Sequence, residues 1–165
     1  MPLTFEQLID FLDRHEIKTN TVSHPPLLTV ADSQKLRGEI PGGHTKNLFL
    51  KDKKGARFLI TLEEDAIVDL KTVHGPIGAS GRVSFGSAEN LRDLLGVIPG
   101  AVTPFGLIND TNCAVTMIFD ELLMRHEIIK AHPLVNTMTT SIGREDLLAF
   151  ARLTGHEPRV LKVST

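Results

Sequence analysis

The chain has 165 residues, 41% of them apolar and 23% charged, with a formal net charge of −2. That length can bury a core, so a single domain spanning 1–165 is expected, and the balance is that of an ordinary globular protein. The small acidic excess excludes a long basic groove tracking phosphates; any nucleic-acid contact is confined to an end or a local patch.

Taken in chain order, Thr4 precedes Phe5, Leu8, Ile9 and Leu12 at helical spacing, with Gln7 placed to complete a capping box. This first segment, MPLTFEQLIDFL, carries acids and no apolar run of signal-peptide or membrane-spanning length, so a cytoplasmic protein without a membrane partner is expected. Ile17 to Ser23 alternates like a short strand and is stopped by His24-Pro25-Pro26. Thr29 is placed to cap a second helix through Leu36, ending near Gly38.

Leu48 to Leu50 and Arg57 to Thr61 read as hairpin strands across Lys53-Lys54-Gly55, with Thr45, Lys46 and Asn47 at the head. Asp69 to Val73 is a short helix candidate and Arg82 to Phe85 a short strand. Ser87 caps SAENLRDLL, which Gly96 terminates. After the loop VIPGAVTPFG, strands are expected at Cys113 to Phe119, Glu127 to Ala131 and Thr137 to Ile142. Arg144 to Leu153 is the last helix, closed by Gly155, and Arg159 to Val163 a final strand. Irregular alternation and tight turns favour an α+β fold, a mixed β-sheet flanked by helices, over a doubly wound parallel sheet.

Familiar chemical signatures come close and break. His126-Glu127 opens like H-E-x-x-H, but Lys130 stands at the closing position, so no metalloprotease zinc site is expected. Gly75, Gly78 and Gly81 fit neither a dinucleotide nor a Walker loop and suit a turn-rich connection. Cys113 is the only cysteine, which rules out an intrachain disulfide. Inside CAVTMIF it reads as buried packing and not as a nucleophile. Neither a metal nor a cofactor is indicated. An enzyme with such a sequence would rely on positioned backbone groups, water and the substrate, which suits hydrolysis of an activated ester.

Five stretches, SHPPLLTVADS, HTKNLFLKD, GASGRVSFGSAENL, GAVTPFGLIND and HPLVNTMTTSI, resemble in order the YbaK/ProX editing domains, relatives of the editing insertion of bacterial prolyl-tRNA synthetase. The resemblance spans about Ile17 to Val163. It implies a mixed α/β sheet with a pocket on one side and hydrolysis of the ester between a wrong amino acid and the 3′-terminal adenosine of tRNA. The chain looks most like the ProXp-ala (PrdX) branch, which clears alanine from tRNA(Pro); close relatives remove cysteine, serine or threonine. GPIGASGRV, less charged than the matching stretch of the cysteine-clearing relatives, favours alanine. The implied partners are the tRNA(Pro) acceptor end and, transiently, prolyl-tRNA synthetase or an elongation factor.

In that resemblance Lys46 is the lysine at the pocket mouth, able to hold phosphate or sugar oxygens as a point charge. Asn47 is suited to a ribose hydroxyl or the ester carbonyl, and His44 and Thr45 look branch-specific. Gly100, Ala101, Val102, Thr103 and Pro104 match a G-x-x-x-P loop whose backbone groups orient water and the developing oxyanion. His132 matches the family's late histidine, an acid, base or orienting group, with Asn136 and Thr139 as weaker candidates. Read from the residues alone, Lys46 is equally a solvated strand-end charge, GAVTP a rigid turn, and His132 a fixture of the turn before Pro133. A non-catalytic RNA-binding module is the rival of another class, although the lack of Trp and Tyr argues against base stacking as its source of affinity.

Overall fold

The computed structural model describes residues 2–25 and 43–165; the helix expected from Thr29 lies outside the described residues. Helix α1 (Phe5–Arg14) opens as expected: the Gln7 N–H donates to Thr4 Oγ1 at 3.2 Å, and the Thr4 N–H donates to Gln7 Oε1 at 2.9 Å. Its apolar stripe buries Leu8 and Leu12.

Eight strands form one mixed sheet. They are β1 (Thr19–Ser23), β2 (Gly43–Lys51), β3 (Arg57–Glu63), β4 (Ser84–Phe85), β5 (Val115–Asp120), β6 (Ile128–Ala131), β7 (Met138–Gly143) and β8 (Arg159–Leu161). The order is β1-β7-β6-β2-β3-β5-β8, with β4 also on β2. Pairs β1–β7, β6–β7, β2–β3 and β2–β4 are antiparallel; β2–β6, β3–β5 and β5–β8 are parallel. The expectation of a mixed sheet holds.

Alternation gives the central strands two apolar faces. On one, Phe49, Leu59, Met117 and Phe119 pack with α1, with the 3₁₀ turn Pro104–Asn109 and with the last helix, Arg144–Leu153. Phe150 lies edge-on to both Phe11 and Phe105, at 5.8 and 5.4 Å between ring centroids. On the other, Leu50, Phe58, Ile60, Leu62 and Ile118 pack with Val73, Ile77 and Val163.

The β2–β3 hairpin is longer than expected, and Asp52 explains its turn. Its carboxylate accepts from the N–H groups of Lys54, Ala56 and Ser80, each at 2.9 Å. These bonds, Ser80's foremost, hold Asp52 below the usual carboxylate range. The short helix expected at Asp69 to Val73 is instead a turn. There Asp69 accepts the Lys71 N–H on its own side chain, and the helix α2 follows at His74–Ile77. SAENLRDLL begins where expected, with Ser87 capping α3 (Ala88–Asn90). It then continues as one π-turn, Leu91–Leu95, to a left-handed Gly96.

Cys113 is a correction. It is exposed and precedes β5 in a turn with φ +52°. Asp110 is the cause: its carboxylate accepts from Ala114 N–H (3.1 Å) and Val115 N–H (2.8 Å), which bends the chain before the strand begins. The last helix, labelled α4, spans Arg144–Leu153 as expected.

Candidate active site

The site follows from how β2 shares its free edge. One edge of β2 pairs with β3 from Thr45 to Lys51. Along the other, β6 reaches only Gly43 and His44, and β4 only Leu50 and Lys51. Among the described residues no strand covers Thr45 to Phe49 there, so a slot opens between β6 and β4. Gly86 closes its far end: its N–H donates to Phe49 O at 2.9 Å, and a Cβ on it would sit 2.4 Å from the Phe49 ring. Only glycine fits that close approach.

Lys46 and Asn47 both lie on this slot but on opposite faces. Asn47 stands across from Thr61, whose hydroxyl donates to Asn47 Oδ1 at 2.5 Å. Lys46 stands across from Leu62, on the face of Leu48 and Leu50. Half-buried, Lys46 makes no ion pair or hydrogen bond with the described residues. Thr45 is a tie between strands: its hydroxyl donates to Lys130 O at 2.7 Å.

Asn47 is not a free substrate ligand. Its Nδ2 donates to Val102 O at 2.9 Å and so fastens the loop Gly100–Pro104 to β2. Within that loop the Ala101 N–H is spent on Ile98 O at 3.0 Å. Thr103 Oγ1 accepts from Phe105 N–H and caps the 3₁₀ turn that Pro104 begins. The N–H groups of Gly100 and Val102 have no partner among the described residues, and both residues reach the surface, whereas Thr103 is fully buried. Gly100 has φ +91°, and Asn136 Nδ2 comes within 3.8 Å of where its Cβ would be. The loops carrying Gly100 and Asn136 therefore face each other.

His132 leaves the sheet one residue after β6. The β2–β6 register pairs His44 with Lys130, so carrying it two residues forward sets His132 beside Lys46. The β6–β7 register pairs Ala131 with Thr140, which sets His132 beside Thr139. One lateral row therefore joins Thr139, His132 and Lys46, and the row before it joins Ser141, Lys130 and His44.

The His132 tautomer is fixed by chemistry. Nδ1 lies 3.0 Å from Met138 O, and a carbonyl only accepts, so Nδ1 carries the proton. In the neutral ring Nε2 is then a bare acceptor. Burial pushes His132 below the usual histidine range; the Met138 bond opposes this and the charge of His24 adds to it.

Two residues escaped the sequence reading. His24 ends β1 beside Thr139, and their bond is 2.7 Å between His24 Nε2 and Thr139 Oγ1. Lys130 is buried at 6% exposure, with Nζ donating to Ser141 Oγ, and burial pushes its amine down. The alternation of IIKA was the only signal for Lys130, and it is silent on what the side chain meets. Among the described residues no group of histidine, cysteine and acidic side chains has the makings of a metal site. No described helix is long and apolar enough to cross a membrane.

Residues 24–150 match the family profile of the aminoacyl-tRNA editing domain. The chain belongs to that family. The chain is 31% identical to the prolyl-tRNA editing protein ProX of Acetoanaerobium sticklandii, over 96% of each chain. It is 35% identical to the prolyl-tRNA synthetase associated domain-containing protein 1 of Danio rerio, over 94% of this chain and 85% of that one. A solved structure reported as a candidate trans-editing enzyme for prolyl tRNA synthetase superposes with a TM-score of 0.70 at 22% identity, covering 97% of this chain and 98% of its own. That last likeness is one of fold. Editing by such a domain is hydrolysis of an aminoacyl ester.

Proposed function

We propose that this editing domain is a trans-acting deacylase that hydrolyses alanine from mischarged tRNA(Pro) in the cytoplasm. Its partner is the tRNA acceptor end, with prolyl-tRNA synthetase or an elongation factor in transient contact. One relative named a prolyl-tRNA editing protein and another named for a prolyl-tRNA synthetase associated domain support the choice of tRNA. The observation that carries the chemistry is an uncommitted Lys46 and a His132 whose Nε2 is a bare acceptor, in line across the gap where the β2–β6 pairing ends, with the loop that Asn47 fastens reaching the same stretch of β2 from its other face.

In this reading Lys46 holds the phosphate or sugar oxygens of the terminal nucleotide. A water attacks the ester carbonyl while His132 Nε2, or the ribose hydroxyl it orients, accepts the water's proton. The unpaired N–H groups of Gly100 or Val102 donate to the oxyanion as it forms. The carbonyl carbon gains the bond to water oxygen, the bond to the 3′-oxygen breaks, and the proton passes to that leaving oxygen. Asn47 acts through the loop, and Asn136 faces the acyl group from across it.

The test is deacylation of tRNA(Pro) charged with Ala, Cys, Ser or Pro, each followed separately. Ala-tRNA(Pro) is expected to be cleared while Pro-tRNA(Pro) is spared, since a tight pocket rejects the larger ring by size. Faster clearance of Cys or Ser would make the protein a sister deacylase. Binding of tRNA without hydrolysis of any ester would leave a non-catalytic module.

A further inference from the structure

We infer that His24, at the end of β1, is a positioning residue of the editing site that acts on His132 through Thr139. The inference rests on the reading of His132 as the proton-accepting group. It starts from a second imidazole whose tautomer is also fixed. His24 Nδ1 lies 2.7 Å from Pro25 O, so Nδ1 carries the proton and donates. In the neutral ring Nε2 must then accept, and the Thr139 hydroxyl at 2.7 Å donates to it. Thr139 is only 5% exposed, so its hydroxyl has little access to water as an alternative partner. The His24 N–H also donates to Thr137 O at 2.8 Å, which ties its backbone to the chain leading into β7.

The two rings stand 6.2 Å apart between centroids, tilted by 52°. Thr139 is the register neighbour of His132, so His24, Thr139 and His132 pack as a block. Protonating His24 breaks the block in two ways. Its Nε2 gains a hydrogen, so the Thr139 hydroxyl can no longer donate to it and must turn. It also gains a charge near His132, which disfavours a second cation. Among the described residues, the other titratable groups on this face are Lys46 and His44 from β2, Lys130 from β6 and Glu64 after β3. Thr139 and Ser141 from β7, and Asn20 and Val22 from β1, add none. A working site therefore needs both rings neutral.

Three proteins decide it: wild type, His24→Gln and His24→Leu. Glutamine keeps an acceptor for Thr139 and does not titrate; leucine removes the acceptor. For the aminoacyl ester the wild type clears fastest, the acid limb of kcat/KM in His24→Gln should follow the titration of His132 alone. His24→Leu should lower kcat about three- to tenfold with KM little changed. Imidazole NMR titration is the readout independent of turnover. In His24→Gln the His132 ring should titrate at higher pH than in wild type, because a neighbouring cation is gone. An unchanged His132 titration, or a wild-type kcat in His24→Leu, overturns the inference. If wild type hydrolyses no ester, the functional reading fails, and the NMR titration alone still decides whether the two rings are coupled.

Discussion

Asn47 is the residue to which the structure adds most, because its amide already holds the loop. Asn47→Ala removes the donor to Val102 O and the acceptor of the Thr61 hydroxyl, which is fully buried. A buried hydroxyl left without a partner costs about 1–3 kcal/mol and an ordinary hydrogen bond contributes about 1 kcal/mol, so the loss of stability should be about 2–4 kcal/mol. Asn47→Asp separates the two roles. It still accepts from Thr61 but sets a carboxylate oxygen against Val102 O, which pushes the loop from β2. A shift of about 1 Å in groups that orient a reaction lowers kcat about 100-fold. Thr61→Val is the control: it loses the hydroxyl but leaves the Asn47–Val102 bond and should retain most of kcat. Urea unfolding and single-turnover deacylation of Ala-tRNA(Pro) read the two effects. A folded Asn47→Asp with wild-type kcat would refute the claim that this bond sets the loop.

Further outcomes are expected elsewhere. Lys46→Ala should fold normally and lose about 10- to 100-fold in kcat, the worth of one charge-assisted hydrogen bond. Replacing the exposed Lys51, Lys53 and Lys54 should instead weaken tRNA binding in a salt-dependent way, measured as KM against ionic strength. Cys113 should react with a thiol reagent in the native protein, and Cys113→Ala should leave deacylation intact, as mass spectrometry and the same assay will report. Because Asp52 is held below the ordinary value of 3.8, its contribution to stability is present above that pH and lost as pH falls through the folded value. Asp52→Asn should flatten the acid side of a stability–pH curve measured by chemical unfolding.

Local signals were legible where the cause is local. The Thr4–Gln7 capping box and the helix Arg144–Leu153 form as their residues dictate. Cys113 misled because CAVTMIF alternates as a strand does, and only the Asp110 carboxylate, which captures the amides of Ala114 and Val115, shows why the strand starts two residues later. The relation of Lys46 to His132 had no local signal. It depends on β2 and β6 lying parallel, a pairing the Thr45 hydroxyl cements across 85 residues of sequence. The resemblance to editing domains supplied the candidates for the site. It was silent on which of these residues face the substrate and which face each other.

That distinction changes how the site works. An ester seated in the slot at the β2 edge has Lys46 and His132 on one side of the sheet and the loop held by Asn47 on the other. Neither Lys46 nor His132 is hydrogen-bonded to a carboxylate among the described residues, and in the proposed reading the phosphates of the substrate supply the charge opposite Lys46. An aminoacyl ester of a simple alcohol brings no negative charge, whereas the end of a polynucleotide brings several. Discrimination against small esters then follows from electrostatics before the acyl pocket is consulted. Because the ammonium is a strand-borne point charge at a slot open on only one edge, a longer planar guanidinium at the same position cannot reproduce it.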